Sequence, residues 1–365
     1  MDGLSRPVRS SSITLRDVAG VAGVHYSTAS KALDPTKERL VSLATRARVR
    51  EAAATLGYRP HLFARGLRRG KTGMIGLILP DIGNPYIPPL VRSLREVLEA
   101  DEMTAIIVET EDDDRRLVRA LDSLAALRVD GVIAGCARIG DEDRLEEFDR
   151  EVSPVVLAIR RLPGSRLSCV SADDVAGGEL AARYLVGLGH LRLAQLEGPA
   201  DVQPFLDRSE GFSRALSAQR RCELLEVGER AAHPSYDEGV RLAHALIGRG
   251  EPMPTAIFAH NDTMALGAID ALHSSGLRCP QDVSVLGFND SPLAERCTPA
   301  LTTIRTPSGE IGRRAAAAVL ARIRGEEVGD QLTTPALVPR RSTARALAVG
   351  PARPPSSSRR KVTVR

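Results

Sequence analysis

From Met74 onward the chain repeats one pattern, a short run of apolar residues followed by a longer stretch with apolar positions three and four apart. The runs are MIGLILP, TAIIVE, GVIAG and PVVLAI, then a second series of LAQLEG, TAIFA and VSVLGF. Apolar runs that alternate with amphipathic helices predict parallel strands buried on both faces, in doubly wound sheets with helices on either side. Two such series in succession predict a two-lobed α/β body. In that architecture a ligand sits in the cleft between lobes, beyond the carboxyl ends of the strands.

The first seventy residues follow a helical period instead. Thr14-Leu15-Arg16-Asp17 reads as a helix start, because the Thr14 hydroxyl caps a free amide while the Asp17 carboxylate reaches back toward the positive helix end. The helix runs to about Ala22, Gly23 supplies the left-handed conformation of a tight turn, and a second helix spans His25 to Leu33. Val18, Ala22, Val24, Ala29 and Leu33 form an apolar seam, and the small Ala19 lets the two helices cross closely. His25, Tyr26, Ser27, Thr28, Ser30 and Lys31 fall on the outer face of the second helix. A third helix, opened by Ser42 and carrying Val49, Ala53 and Leu56, closes a small all-α core. A helix-turn-helix of this kind lays its second helix in the major groove of DNA.

Charge divides along the same line. Residues 1–72 hold fourteen Lys and Arg against five Asp and Glu, a net +9; residues 351–365 carry +5; residues 73–350 carry −10. A compact basic module joined to an acidic body points to a polyanionic partner, since Lys and Arg gain affinity by releasing phosphate-bound counterions. Arg outnumbers Lys 46 to 4 across the chain, which carries no functional weight.

Other chemistries find no support in the residue pattern. The five cysteines, at 136, 169, 222, 279 and 297, form no CxxC pair and have no histidine at metal-ligand spacing, so neither a metal nor a disulfide framework is expected. No GxSxG elbow and no GxGxxG after a strand occurs, and no cofactor or catalytic residue is assigned; the chain is not expected to be an enzyme. The segment GLRRGKT at 66–72 resembles a phosphate-binding loop but has three residues between its glycines instead of four, and it follows a helical stretch. No apolar stretch approaches the roughly 20 residues that cross a bilayer, and MDGLSRPVRSSS lacks the apolar segment of a secretory signal. A cytoplasmic protein without a membrane partner is expected. That location disfavours a binding protein for solute transport, which the body alone would suit.

The segments LRDVAGVAGV (15–24), STASK (27–31) and AATLGYRP (53–60) resemble the headpiece of the LacI family of bacterial repressors, and HLFARGLRRGKT (61–72) is similar to that family's hinge. The resemblance implies that Tyr26, Ser27 and Lys31 read base edges, with Thr28 on the same face, and that Ser30, Arg59 and Arg65 grip phosphate. It implies a hinge that folds on DNA, with Leu67 as the wedge entering the minor groove and unstacking a base step. Two positions depart from the family. His25 stands where a serine caps the helix, and Gly66 replaces a better helix former at a cost of about 1 kcal/mol.

In the body, PDIGNPY (80–86), HNDTMALG (260–267), VLGFND (285–290) and LTTI (301–304) resemble the family's effector-binding domain and, more distantly, the periplasmic sugar-binding proteins. The expected organisation is a disordered basic N-terminus at 1–12, a helix-turn-helix domain at 13–60, a hinge at 61–72, an effector-binding domain at 73–345 and a disordered basic tail at 346–365. Within the effector domain, 73–171 with about 304–333 form one lobe and 172–303 with 334–345 the other. The resemblance places Asn84, Tyr86, Arg160, Arg208, Asn261 and Asn289 in the cleft. Tyr86 equally suits a packed aromatic, and Asn84 and Asn261 equally suit caps of the helices they precede.

Many sugar-binding relatives place an aspartate before the arginine matching Arg160 and another where Asn289 stands; Ile159 occupies the first position here. The loss of both carboxylates leads us to expect an effector other than a neutral hexose, one with an anionic group for Arg160 and Arg208. The effector class is a sugar, sugar derivative or other small metabolite. A homodimer on a palindromic operator is expected, because the tail has no leucine heptad for a four-chain assembly. The whole reading is a DNA-binding transcriptional repressor under effector control.

Overall fold

The computed structural model describes residues 13–34, 37–58, 71–225, 227–250 and 252–346. The chain divides into two compact units at Gly73.

The first unit is helical: α1 (Leu15–Val21), α2 (Tyr26–Ala32) and α3 (Leu43–Leu56), with a 3-10 turn at Glu38–Leu40. Each start is written in the local sequence. The Thr14 hydroxyl accepts from the Asp17 amide at 3.4 Å, and the Asp17 carboxylate accepts from the Thr14 amide at 2.7 Å, a reciprocal capping box. Ser42 caps α3 by accepting from the Thr45 amide at 3.3 Å, and Gly57 ends it at φ +65°. Gly23 makes the turn between α1 and α2 at φ +63°. The core consists of Val18, Ala19, Ala22, Ala29, Ala32, Val49, Ala52 and Ala53. Side chains this small bring the helix backbones close together.

The second unit carries two six-stranded sheets. The first contains β1 (Met74–Leu79), β2 (Thr104–Glu109), β3 (Gly131–Ala134), β4 (Val155–Ala158), β5 (Cys169–Ala172) and β11 (Gln331–Thr333), ordered β11-β5-β4-β3-β1-β2 and parallel throughout. The second contains β6 (Arg192–Leu196), β7 (Glu223–Leu225), β8 (Ala256–Ala259), β9 (Ser284–Asn289), β10 (Thr302–Arg305) and β12 (Ala336–Val338), ordered β12-β10-β9-β8-β6-β7. Only β12 runs antiparallel to its neighbour among the described strands.

Helices cover both faces of each sheet. In the first lobe α4 (Ile87–Ala100) and α12 (Ser308–Ile323) pack on one face, and α5 (Asp114–Leu127) and α6 (Glu142–Glu151) on the other. In the second lobe α7 (Asp174–Gly187) and α8 (Gln203–Ser217) oppose α9 (Tyr236–Gly248) and α10 (Asp262–Ser274); the short α11 (Pro292–Arg296) follows β9. The chain passes between the sheets at 172–174, 305–308 and 333–336. The second passage lies after Arg305, the last residue of β10, rather than at 304, so β10 belongs entirely to the second sheet.

Glycine sets the spacing of α7 against α8. A Cβ on Gly211 would stand 2.0 Å from the Val175 carbonyl oxygen, and one on Gly178 would stand 2.2 Å from the Arg208 carbonyl oxygen. The two backbones touch, and that contact fixes where Arg208 emerges from α8.

Candidate functional site

Helix α2 buries Ala29 and Ala32 against its own unit and turns its polar side outward. Tyr26 is 43% exposed, Lys31 is exposed, and Ser27, Thr28 and Ser30 are half-buried. His25 replaces a hydroxyl cap with a ring nitrogen: its Nδ1 faces the Ser27 amide at 3.4 Å and the Ser27 hydroxyl at 2.8 Å. An unprotonated Nδ1 accepts both, so the Ser27 hydroxyl spends its hydrogen on the ring and keeps its oxygen as an acceptor. The ring also meets Tyr26 edge-on at 5.3 Å. Arg59, Arg65 and Leu67 lie outside the described residues, as do 1–12 and the tail beyond 346.

In the second unit the loops after β1, β2 and β4 meet the loop between β7 and α9. Asp81, Asn84, Asp112, Arg160, His233 and Pro234 are among the residues that line a cavity of about 330 Å³ there. Asn84 folds its own loop, its Oδ1 accepting from the Tyr86 amide at 3.0 Å. Arg160 is buried and held in place. Its Nη1 donates to Asp112 Oδ1 at 2.5 Å and to the Cys136 carbonyl at 3.1 Å, and its Nη2 donates to Asp112 Oδ2 at 3.0 Å. The two loops that present this pair both use left-handed backbone at non-glycine residues, with φ of 51° at Glu111, 55° at Asp112 and 68° at Ile159.

Arg208 projects from α8 to the strand ends of the second lobe. Its Nε donates to Asp174 Oδ1 at 2.8 Å, its Nη1 donates to the His260 carbonyl, and its plane lies 3.8 Å from the Phe288 ring centre. Burial raises the Asp174 carboxyl to about 6 against the opposing pull of Arg208. Burial first, and the charges of Arg208 and Arg230 after it, hold His260 well below the usual histidine range. The His260 ring is therefore neutral, with Nδ1 accepting from the Gly198 amide at 3.3 Å and Nε2 donating to Gln195 Oε1 at 3.0 Å.

Tyr86 is a packed aromatic that also lines a cavity. It belongs to the apolar cluster of α4, while burial pushes its hydroxyl up to about 12 and Thr306, Asp174 and Arg208 act on it in turn. With Asn289, Asp290, Ser291 and Thr306 it lines a second cavity, of about 340 Å³, at the interlobe passage. Asn289 adopts φ 112°, and Asp290 beside it pairs with Arg305 at 2.6 Å and Arg340 at 2.7 Å. Asn261 is a cap: Oδ1 accepts from the Met264 amide at 2.7 Å, and Nδ2 donates to the Pro234 carbonyl at 2.8 Å. The side chain thereby steadies the loop that covers the 330 Å³ cavity.

Six expected cleft residues thus fall into groups. Asn84 and Arg160 share one cavity, Tyr86 and Asn289 the other, Arg208 reaches the charge cluster near Tyr86, and Asn261 supports from behind. Sequence reading missed the acidic partners. Asp112 lies in the run Glu111 to Asp114, which reads as a helix start, and Asp113 does cap α5 by accepting from the Arg116 amide at 2.8 Å. Asp174 likewise opens α7. Each guanidinium expected to meet an anionic group already faces a carboxylate, Arg160 with Asp112 and Arg208 with Asp174.

At the cleft mouth the lobes are tied directly. Arg138 Nε donates to Asp201 at 2.9 Å, the Ile139 amide donates to the Asp201 carbonyl at 2.8 Å, and Arg161 pairs with Asp207 at 3.2 Å. Any change in the angle between lobes must break or re-form these contacts.

Comparison with known proteins gives the same division. Residues 14–61 match the family model of bacterial regulatory proteins, lacI family, and residues 182–343 match that of a periplasmic binding protein-like domain. The HTH-type transcriptional repressor CytR of Escherichia coli (strain K12) is 32% identical over 319 residues, covering 87% of this chain and 91% of that protein. A Lac repressor dimer bound to operator and the anti-inducer ONPF is similar in structure, with a TM-score of 0.79 and 27% identity over 92% of this chain and 100% of that one. A complex of the transcriptional regulator CelR with cellobiose has a TM-score of 0.69 and 29% identity, covering 90% and 99% of the two chains.

Proposed function

The chain belongs to the LacI family of bacterial regulatory proteins, and from that membership we propose that it is a cytoplasmic, homodimeric repressor whose operator binding is set by a small molecule in the interlobe cleft. One observation carries this reading. A single chain joins a helix-turn-helix with an exposed polar face on α2 to a two-lobed body whose strand ends converge on cavities lined by both lobes.

Tyr26, Ser27, Thr28 and Lys31 are the proposed base readers, with Ser30, Arg59 and Arg65 on phosphate and Leu67 as the minor-groove wedge. The effector is a sugar, sugar derivative or other small metabolite; CelR, of the same fold, is solved with cellobiose. Asn84, Tyr86, Arg160, Arg208, Asn261 and Asn289 form or support its site. Regulation follows from the ties across the cleft mouth. A ligand that binds the lobes at one relative angle better than at another shifts the balance between them, and operator affinity changes by its differential affinity.

Fluorescence anisotropy on an operator fragment, across a panel of sugars beginning with cellobiose, tests the reading. The expected result is a compound that changes operator affinity at least tenfold in the native protein. Arg208→Lys, which keeps the charge but loses the fork to Asp174 and the stacking on Phe288, is expected to lose that response while its unliganded operator affinity stays within twofold. A response that survives in Arg208→Lys would place the effector elsewhere.

A further inference from the structure

Arg160 is the guanidinium among the residues lining the 330 Å³ cavity, and its charge is already matched by a carboxylate. Asp112 takes both of its terminal nitrogens, the Cys136 carbonyl takes a second bond from one of them, and the two side chains are only 6% and 13% exposed. A pair so desolvated is weakly screened, and pulling Arg160 toward another anion would leave the Asp112 charge buried without a counter-ion. Arg138, which donates to the Asp112 carbonyl, is committed in the same way, pairing with Asp114 and Asp201.

The backbone shows that this arrangement is built. Glu111, Asp112 and Ile159 all sit at positive φ, which is uncommon for any side chain and costly for a β-branched one. That strain aims Asp112 and Arg160 at each other from loops 48 residues apart. Asp81, which also lines the cavity, opposes an anion as well.

We propose that Asp112 is the specificity-determining residue for effector charge: by occupying Arg160 it makes the cleft accept uncharged hydroxylated molecules and reject phosphorylated or carboxylated ones. The inference rests on the reading of this cleft as the effector site. Carboxylate oxygens accept hydroxyl hydrogens, so Asp81 and the outer lone pairs of Asp112 suit the hydroxyls of a polyol, while their negative charge opposes an anion.

Inorganic phosphate is the probe, titrated by calorimetry into the full-length protein and read in parallel as a thermal shift against chloride at matched ionic strength. The native protein is expected to show no saturable binding that depends on Arg160. Asp112→Asn is expected to bind phosphate at least tenfold more tightly, and the gain is expected to vanish in the Asp112→Asn, Arg160→Gln double variant. Asp112→Gly is the second variant, since glycine takes φ 55° without strain and leaves the space open. Saturable phosphate binding by the native protein that Arg160→Gln abolishes would overturn the proposal, as would folded Asp112 variants that gain none. The readout needs no operator, so loss of effector control in the anisotropy experiment and failure here are separate results.

Discussion

Gly211→Ala places a methyl group where α7 and α8 touch. The added carbon would lie 2.0 Å from the Val175 carbonyl oxygen, 2.9 Å from its carbon and 3.1 Å from the Glu179 amide nitrogen. All three are backbone atoms, so no flexible side chain can swing away and the helices must separate by more than an ångström. Overpacking of this kind costs about 1–3 kcal/mol, and a clash with backbone belongs at the upper end. For a body of this size about 3 kcal/mol lowers the melting temperature by roughly 6–12 °C. Separation also carries Arg208 away from Asp174, so the 2.8 Å bond weakens and the effector response falls with stability. Gly187→Ala is the control, because that glycine ends the partner helix α7 with nothing within 4 Å of the added carbon. It is expected to leave the melting temperature unchanged or raise it, by up to about 1 kcal/mol of helix propensity. Thermal melts of the two variants with native protein decide the matter. A Gly211→Ala melt within 2 °C of the control, on the order of half a kcal/mol, would refute the close-contact argument.

Two further outcomes are expected. His25→Ser restores a hydroxyl cap in place of a ring nitrogen 3.4 Å from its amide, and should raise headpiece stability by about 1 kcal/mol, read by urea unfolding of residues 1–73 followed through helical circular dichroism. Asp262 is buried, and burial raises its carboxyl to about 7 against hydrogen bonds from Thr303 and Ser291. The folded state therefore holds a proton that the unfolded state releases near pH 4, so this residue's contribution is full at low pH and is lost as pH rises through 7. Melts of native protein and Asp262→Asn at pH 5 and pH 8 should show the native protein losing ground to the variant at the higher pH; an unchanged difference would contradict the shift.

The parts of the fold that were legible in the sequence are those with local causes. The Thr14 to Asp17 capping box, the Gly23 turn and the long buried strands each depend on residues within a few positions of one another. The short strands β5, β7, β11 and β12 were not legible, since three or four residues at or near a sheet edge carry no apolar period. β10 runs through LTTI to Arg305, and the second interlobe passage follows it, close to the expected border at about 304. The ligand chemistry was the least legible. Arg160 follows β4 and Arg208 lies within α8, but their partners are far away in sequence, Asp112 in the loop after β2 and Asp174 at the first residue of α7, and both resemble ordinary helix starts. The expectation of an anionic group followed from the carboxylates absent at Ile159 and Asn289, while Asp112 and Asp174 supply carboxylates from elsewhere in the chain.

Whether α2 reads a DNA sequence is decided by sequencing the genomic fragments bound by the purified full-length protein, native and Tyr26→Ala. A short palindromic motif is expected for the native protein, matching two copies of the headpiece, and its loss is expected in the variant. Diffuse, salt-sensitive binding by both proteins would contradict it, since phosphate contacts alone give affinity without sequence.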